Sequence, residues 1–234
     1  MLWMTVFHGC FDLSNWGYGF PGFRTDLFWT WQRTGIVSMF LFCAGLGQAI
    51  AVDRGQTWQH FGKRWAQIAG CALLVTAGSL VMFPRSFIYF GVLHGMAVML
   101  VVARCTVVCR LWLWPMGGVA LLLPWIASWA LSGPLLPWAE AFNAPALNWL
   151  GLVSRKPYTE DYVPLFPWLG VLWWGMAAGQ WLLQQHRGWL QVGLPGILRP
   201  LAVLGRWSLS YYMLHQPVLL GLLAAVGWVL GRMG

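Results

Sequence analysis

Five histidines and six carboxylates stand in this chain of 234 residues, and their places limit the chemistry open to it. His8, His94 and His215 each fall inside an apolar run, where an ionisable side chain is expensive to bury and is by default a candidate for function. The bland alternative is a neutral histidine hydrogen-bonded to a neighbouring helix. His60 and His186 fall between runs and read as solvated or headgroup-facing. A histidine held in a low-dielectric site near carboxylates can accept a proton from an incoming amine or hydroxyl. Asp12 follows His8 by one helical turn. His94 stands between Gly91 and Gly95, a GxxxG face that lets another backbone come close. Ser208, Tyr211, Tyr212 and His215 recur at helical spacing, so a polar stripe faces the bundle rather than lipid. Pro217 then interrupts the backbone ladder and leaves nearby carbonyls for Gln216, a water or a substrate.

The elements that must position these groups are apolar helices. Hydrophobic residues make up 59% of the chain and charged residues 9%, too few charges for a water-covered surface. The apolar residues come in blocks of about twenty, the length that crosses about 30 Å of hydrocarbon. The blocks are Met1–Trp16, Gly35–Val52, Ala66–Phe83, Phe87–Ala103, Leu111–Ser132, Val163–Leu183 and Trp207–Leu230. Met1–Trp16 is short for a span, but it lacks the basic start and small-residue cleavage site of a signal peptide and is kept as a first helix. The expectation is an all-α polytopic transmembrane bundle of about seven helices, in one domain over residues 1–234. Across a core about 30 Å thick, His94 and His215 are expected within about 10 Å of each other in depth, lining one channel.

Orientation is read from Lys and Arg near the helix ends. With a cytoplasmic N-terminus, the inner loops hold Arg54, Lys63, Arg64, Arg104, Arg110, Arg187, Arg199 and Arg206. The outer segments hold Arg24, Arg33, Arg85, Arg155, Lys156 and Arg232. This bias is small. The net charge of +8 fits contact with anionic lipid headgroups, and nothing resembles a nucleic-acid-binding module. Trp29, Trp31, Trp65, Trp112, Trp114, Trp168 and Trp207 lie near expected helix ends, where aromatic belts form. Cys10, Cys43, Cys71, Cys105 and Cys109 make no CxxC pair and read as packing residues, with no metal site or disulfide framework. Asp12, Asp26, Glu140, Glu160 and Asp161 all fall on the outer side and only Asp53 inside, an asymmetry that is either chance among six residues or the mark of an outward-facing polar site. The longest loop, Gly133 to Tyr162, carries four prolines with Trp138 and Trp149, and suits a lid or anchor at the membrane surface.

Three stretches carry a resemblance: Phe7–Leu13 (FHGCFDL), Glu160–Gly170 (EDYVPLFPWLG) and Leu204–Pro217 (LGRWSLSYYMLHQP), with a weaker match at Phe90–His94 (FGVLH). Their order and spacing resemble the catalytic domain of the heparan-α-glucosaminide N-acetyltransferase family and its short bacterial relatives. The resemblance implies acetyl transfer across a membrane, with acetyl-CoA as cytoplasmic donor, no metal, and an amino sugar or other glycan as outer acceptor. It also implies a bacterial inner membrane location, with the N-terminus cytoplasmic and the C-terminus periplasmic, and leaves room for a homodimer. The family assigns catalysis to a histidine near the acceptor side. No histidine lies between His8 and His60, so His8 is the nearest candidate.

A thioester is already activated, so the protein must mainly deprotonate the acceptor and stabilise the oxyanion of the tetrahedral intermediate. On this reading His8 is the base, oriented by Asp12. Asp161, with Glu160 beside it, binds or orients the acceptor, and His94 or Arg85 stabilises charge. Tyr211, His215 and Gln216 line the path to the donor, and Arg110 and Arg206 meet the CoA diphosphate. Two other classes compete. A membrane b-type cytochrome would use His94 and His215 as haem ligands, and a transporter or assembly protein would use the histidines in a polar cavity.

Overall fold

In hydrocarbon every backbone amide must find its partner within the protein, which favours helices wherever the chain is continuously apolar. The computed structural model describes residues 1–19, 22–23, 25–190, 195–229 and 231. It is 78% helix with no strands among the described residues. In chain order the helices are α1 (Leu2–Asn15), α2 (Leu27–Asp53), α3 (Trp58–Met82), α4 (Val92–Thr106), α5 (Leu113–Leu131), α6 (Ala139–Asn143), α7 (Leu165–Gln185), α8 (Arg199–Arg206) and α9 (Ser208–Val229). Arg24 and Arg232, counted above among the outer charges, lie outside the described residues.

Among the described residues four helical runs are long and apolar enough to cross a membrane: Leu27–Asp53, Trp58–Met82, Val92–Leu131 and Ser208–Val229. The expected count of about seven is therefore not confirmed, and the reasons are local. The first block forms a helix of 14 residues, about 21 Å at 1.5 Å per residue and short of the hydrocarbon thickness. The fourth and fifth blocks join into one 40-residue run. A short 3-10 stretch, Val107–Trp112, divides that run, with Arg110 at φ 46° and ψ −111°. The sixth block is the 21-residue α7, whose four tryptophans and three glutamines lower its hydropathy. α2 and α3 begin eight residues before the apolar blocks that announced them, at Leu27 and Trp58, because their first turns are polar or aromatic.

The chain forms two units, residues 1–37 with 192–234, and residues 38–191. In the second, α4 and α7 are well enclosed, α7 burying Leu169, Leu172, Trp173, Met176 and Ala177. The glycines of α7 allow this. A Cβ on Gly175 would strike the carbonyl of Phe42 in α2, and one on Gly170 would meet the Gly117 carbonyl of α5 at 2.6 Å. Such small-residue contacts drive helix association where lipid is as apolar as the protein. The opposite face of α5 shows Leu122, Trp125, Ile126 and Trp129 at helical spacing, all well exposed, as a lipid-facing stripe requires. In the first unit α1 packs on α9. Phe7 meets Phe23 and Trp29, which stack at 4.0 Å, and Trp3 donates from Nε1 to Gln32 Oε1 at 2.6 Å. These contacts fix the rotation of α1, and with it the direction of His8 and Asp12.

Candidate active site

His8 and Asp12 lie one turn apart on α1, so they share a face, and that face meets His215 and Gln216 of α9. The His215 ring reaches back to its own helix: Nδ1 is 2.6 Å from the Tyr212 carbonyl oxygen. A carbonyl can only accept, so Nδ1 carries the hydrogen and Nε2 presents its lone pair in the neutral ring. Nε2 is buried and has no hydrogen-bond partner among the described residues. The His8 ring meets His215 edge-on at 5.1 Å, and Tyr211 lies parallel to it at 6.2 Å. The Tyr211 hydroxyl is 2.5 Å from Thr5 Oγ1, which ties the two helices together one turn away.

Asp12 is 3% exposed. Its two oxygens accept from Gln216 Nε2, each at 2.9 Å. The expected Asp12–His8 contact is thus replaced by an Asp12–Gln216 contact, because Gln216 points at α1 from across the interface. Gln216 Oε1 is left buried and unpartnered. Two buried acceptors in adjacent residues, His215 Nε2 and Gln216 Oε1, therefore await donors. An unmet buried acceptor costs about 1–3 kcal/mol, so a ligand bearing N–H or O–H groups suits this place.

The second cluster lies in the other unit, where residues 159–163 run beside 86–90. Val163 N donates to Phe90 O at 3.2 Å, Glu160 N to Ser86 O at 3.0 Å, and Phe90 pairs with Tyr162 as an isolated bridge. Asp161 Oδ2 accepts from Val92 N at 2.8 Å, placing a carboxylate on the positive N-terminus of α4. Ser86 Oγ donates to Glu160 Oε1 at 2.7 Å. His94, in the first turn of α4, has both ring nitrogens engaged: Gly91 N–H donates to Nδ1 at 3.3 Å, and Nε2 is 3.0 Å from Thr76 Oγ1. Thr76 gives its own hydrogen to the Ile88 carbonyl, so His94 Nε2–H is the donor to it. Gly91 and Gly95 do permit a close approach, though by this strand-like segment rather than by a helix. A Cβ on Gly91 would strike Asp161 Oδ2, and one on Gly95 the Val163 carbonyl.

Below that segment Tyr162 donates its hydroxyl to Asn148 O at 2.6 Å. Burial pushes the Tyr162 and Tyr89 hydroxyls above the ordinary tyrosine range. Arg85 is exposed at the edge of the cluster. Arg110 and Arg206 are also exposed, Arg110 in the second unit and Arg206 in the first. The structure thus brings together His8, Asp12, Tyr211, His215 and Gln216 in one cluster, and His94, Glu160 and Asp161 in another. Thr5, Thr76 and Ser86 were missed. Their partners stand 206, 18 and 74 residues away, distances at which spacing carries no signal. The cytochrome reading needs a free nitrogen on His94, and both are taken.

The helical fold and its apolar candidate spans define a membrane protein, with Asp12 and His215 buried where α1 meets α9. The family described as heparan-alpha-glucosaminide N-acetyltransferase, catalytic, matches residues 1–217, and the chain belongs to that family. No curated protein and no solved structure matches it significantly.

Proposed function

We propose that this chain transfers an acetyl group from cytoplasmic acetyl-CoA to an amino sugar or other glycan acceptor on the outer side of the membrane, and that the chemistry takes place between α1 and α9. Family membership supports acetyl transfer. The observation that carries the placement is His215, with Nδ1–H held by a backbone carbonyl and Nε2 buried and unpartnered.

In this reading the acceptor's N–H or O–H points at His215 Nε2. The ring takes the proton as the acceptor attacks the thioester carbonyl, and a tetrahedral oxyanion forms. Collapse of that intermediate breaks the carbon–sulfur bond, and the CoA thiolate leaves and recovers the proton from His215. His8, set edge-on beside it, directs a ring N–H at the oxyanion. Gln216 Oε1 accepts a second donor from the acceptor, and Asp12 holds the Gln216 amide in place. Arg206, in the same unit as α1 and α9, meets the diphosphate of the donor. The location is a bacterial inner membrane, with the N-terminus on the cytoplasmic side.

The test is a transfer assay with purified protein in sealed liposomes, using labelled acetyl-CoA on one side and glucosamine or short glycans on the other. Labelled acceptor appearing in the opposite compartment is the expected result. Absence of transfer with every acceptor, together with no acetyl-CoA binding, would overturn the proposal in favour of a transporter or assembly role.

A further inference from the structure

Arg104 belongs to no part of the site described above, yet it is the most unusual charge in the second unit. It stands in the last turn of α4, is 8% exposed, and has no carboxylate partner among the described residues. Its Nη2 donates to the Gln56 carbonyl, and its Nη1 is buried with no hydrogen-bond partner. The guanidinium carbon lies 5.1 Å from the Trp58 ring centre and 5.7 Å from that of Phe61. Those two rings belong to the first turn of α3, so the guanidinium sits against the N-terminal end of a 25-residue helix.

Two positive features therefore meet. A helix N-terminus carries roughly half a positive charge and favours anions. The end of α4 offers Arg104 about half a negative charge in return, which leaves the rest of the guanidinium's charge without compensation. The first turn of α3 holds no acidic residue. Thr57 Oγ1 engages His60, through its backbone N–H and its ring Nδ1, so the amides of Trp58 and Gln59 have no acceptor within the helix. The nearest carboxylate in sequence, Asp53, is bonded to Arg187 at 2.6 Å. Arg54, Lys63 and Arg64 are exposed nearby in the chain and add to the positive field. A buried cation without a counter-ion is strongly unfavourable, and one anion would satisfy both Nη1 and the free amides. Of the two rings over the guanidinium, Phe61 is buried and Trp58 is 58% exposed.

We infer that Arg104 and the first turn of α3 form a binding position for a phosphate group, with Trp58 folding over it. A planar guanidinium beside free helix amides is suited to phosphate oxygens. The phosphate can belong to a lipid headgroup or to a phosphorylated coenzyme, and the chemistry of recognition is the same.

The test is a binding measurement, separate from acetyl transfer, so its failure leaves the acyltransferase reading standing and the reverse also holds. Full-length protein is placed in phosphatidylcholine nanodiscs and its thermal midpoint followed against inorganic pyrophosphate, coenzyme A and 3′-dephospho-coenzyme A. A parallel sample uses nanodiscs containing phosphatidylglycerol. Pyrophosphate raises the midpoint of the wild type, and Arg104→Gln weakens that response by roughly tenfold to a hundredfold. Trp58→Ala, which uncovers the guanidinium and leaves it charged, keeps the response. A response to coenzyme A that falls on removing its 3′-phosphate assigns the position to the coenzyme, and a shift with phosphatidylglycerol alone assigns it to lipid. If wild type and Trp58→Ala respond to none of these, or if Arg104→Gln responds as wild type does, the inference is wrong.

Discussion

The two polar clusters contain the same residue types and differ in how their hydrogen bonds close. At His94 itself the bonds close on protein groups, although Tyr89 Oη and Asn148 Oδ1 in the same unit are buried without hydrogen-bond partners among the described residues. Gly91 and Thr76 occupy the ring nitrogens, Val92 N–H meets Asp161, and Ser86 meets Glu160. Around His215 they stop short, leaving Nε2 and Gln216 Oε1 buried without donors. A closed network in a low-dielectric interior rigidifies the fold, and an open one stores a demand that a ligand can meet. On the proposed function the His94 cluster does structural work and the His215 cluster chemical work, although both histidines stand equally deep in apolar sequence.

The largest effect expected is on turnover. His215→Gln keeps polarity and removes the base, and should lower kcat by about a hundredfold to ten-thousandfold, with the thermal midpoint near that of the wild type. The mirror image is His94→Ala: it should cost about 1–3 kcal/mol of stability by orphaning Gly91 N–H and Thr76, while activity per folded molecule survives. Equal losses of kcat in the two variants would dissolve the distinction.

Gly95→Ala sharpens it further. A Cβ there strikes the Val163 carbonyl, and overpacking of this kind costs about 1–3 kcal/mol, to be read from the midpoint in detergent. Asp161→Ala removes the N-terminal cap of α4 and should cost about 0.5–2 kcal/mol. If it instead abolished turnover in a protein of unchanged stability, Asp161 would belong to the acceptor site and the cap would be incidental.

The smallest effect is at high pH. Tyr162 is held neutral by burial, so its hydroxyl titrates above the unfolded value of about 10. Its contribution is complete below that pH and is lost as pH rises toward the folded value, because the unfolded chain ionises first. The stability of the wild type should therefore fall more steeply above about pH 10 than that of Tyr162→Phe, with no difference near neutrality.

Much of this was legible in the sequence. The Tyr211–His215 stripe was readable because residues four apart share a helix face, and the Gly91–Gly95 pair correctly announced a close backbone approach. What the glycines could not say is that a strand-like segment, rather than a helix, would occupy the space. The Asp12–Gln216 pair was not readable, since 204 residues separate the partners and the local rule offered His8 to Asp12 instead. Nor was the central position of α7, whose tryptophans and glutamines lower its hydropathy while its glycines let it sink among its neighbours. Arg104 was counted only as an inner charge, because nothing in its sequence surroundings reveals that Trp58 and Phe61 close over it.

The most direct measurement is steady-state acetyl transfer by His215→Gln and His94→Ala side by side, each normalised to folded protein. The account predicts that His215→Gln loses turnover at near-normal stability and that His94→Ala loses stability at near-normal turnover. Full turnover in a folded His215→Gln protein would contradict it and move the chemistry away from α1 and α9.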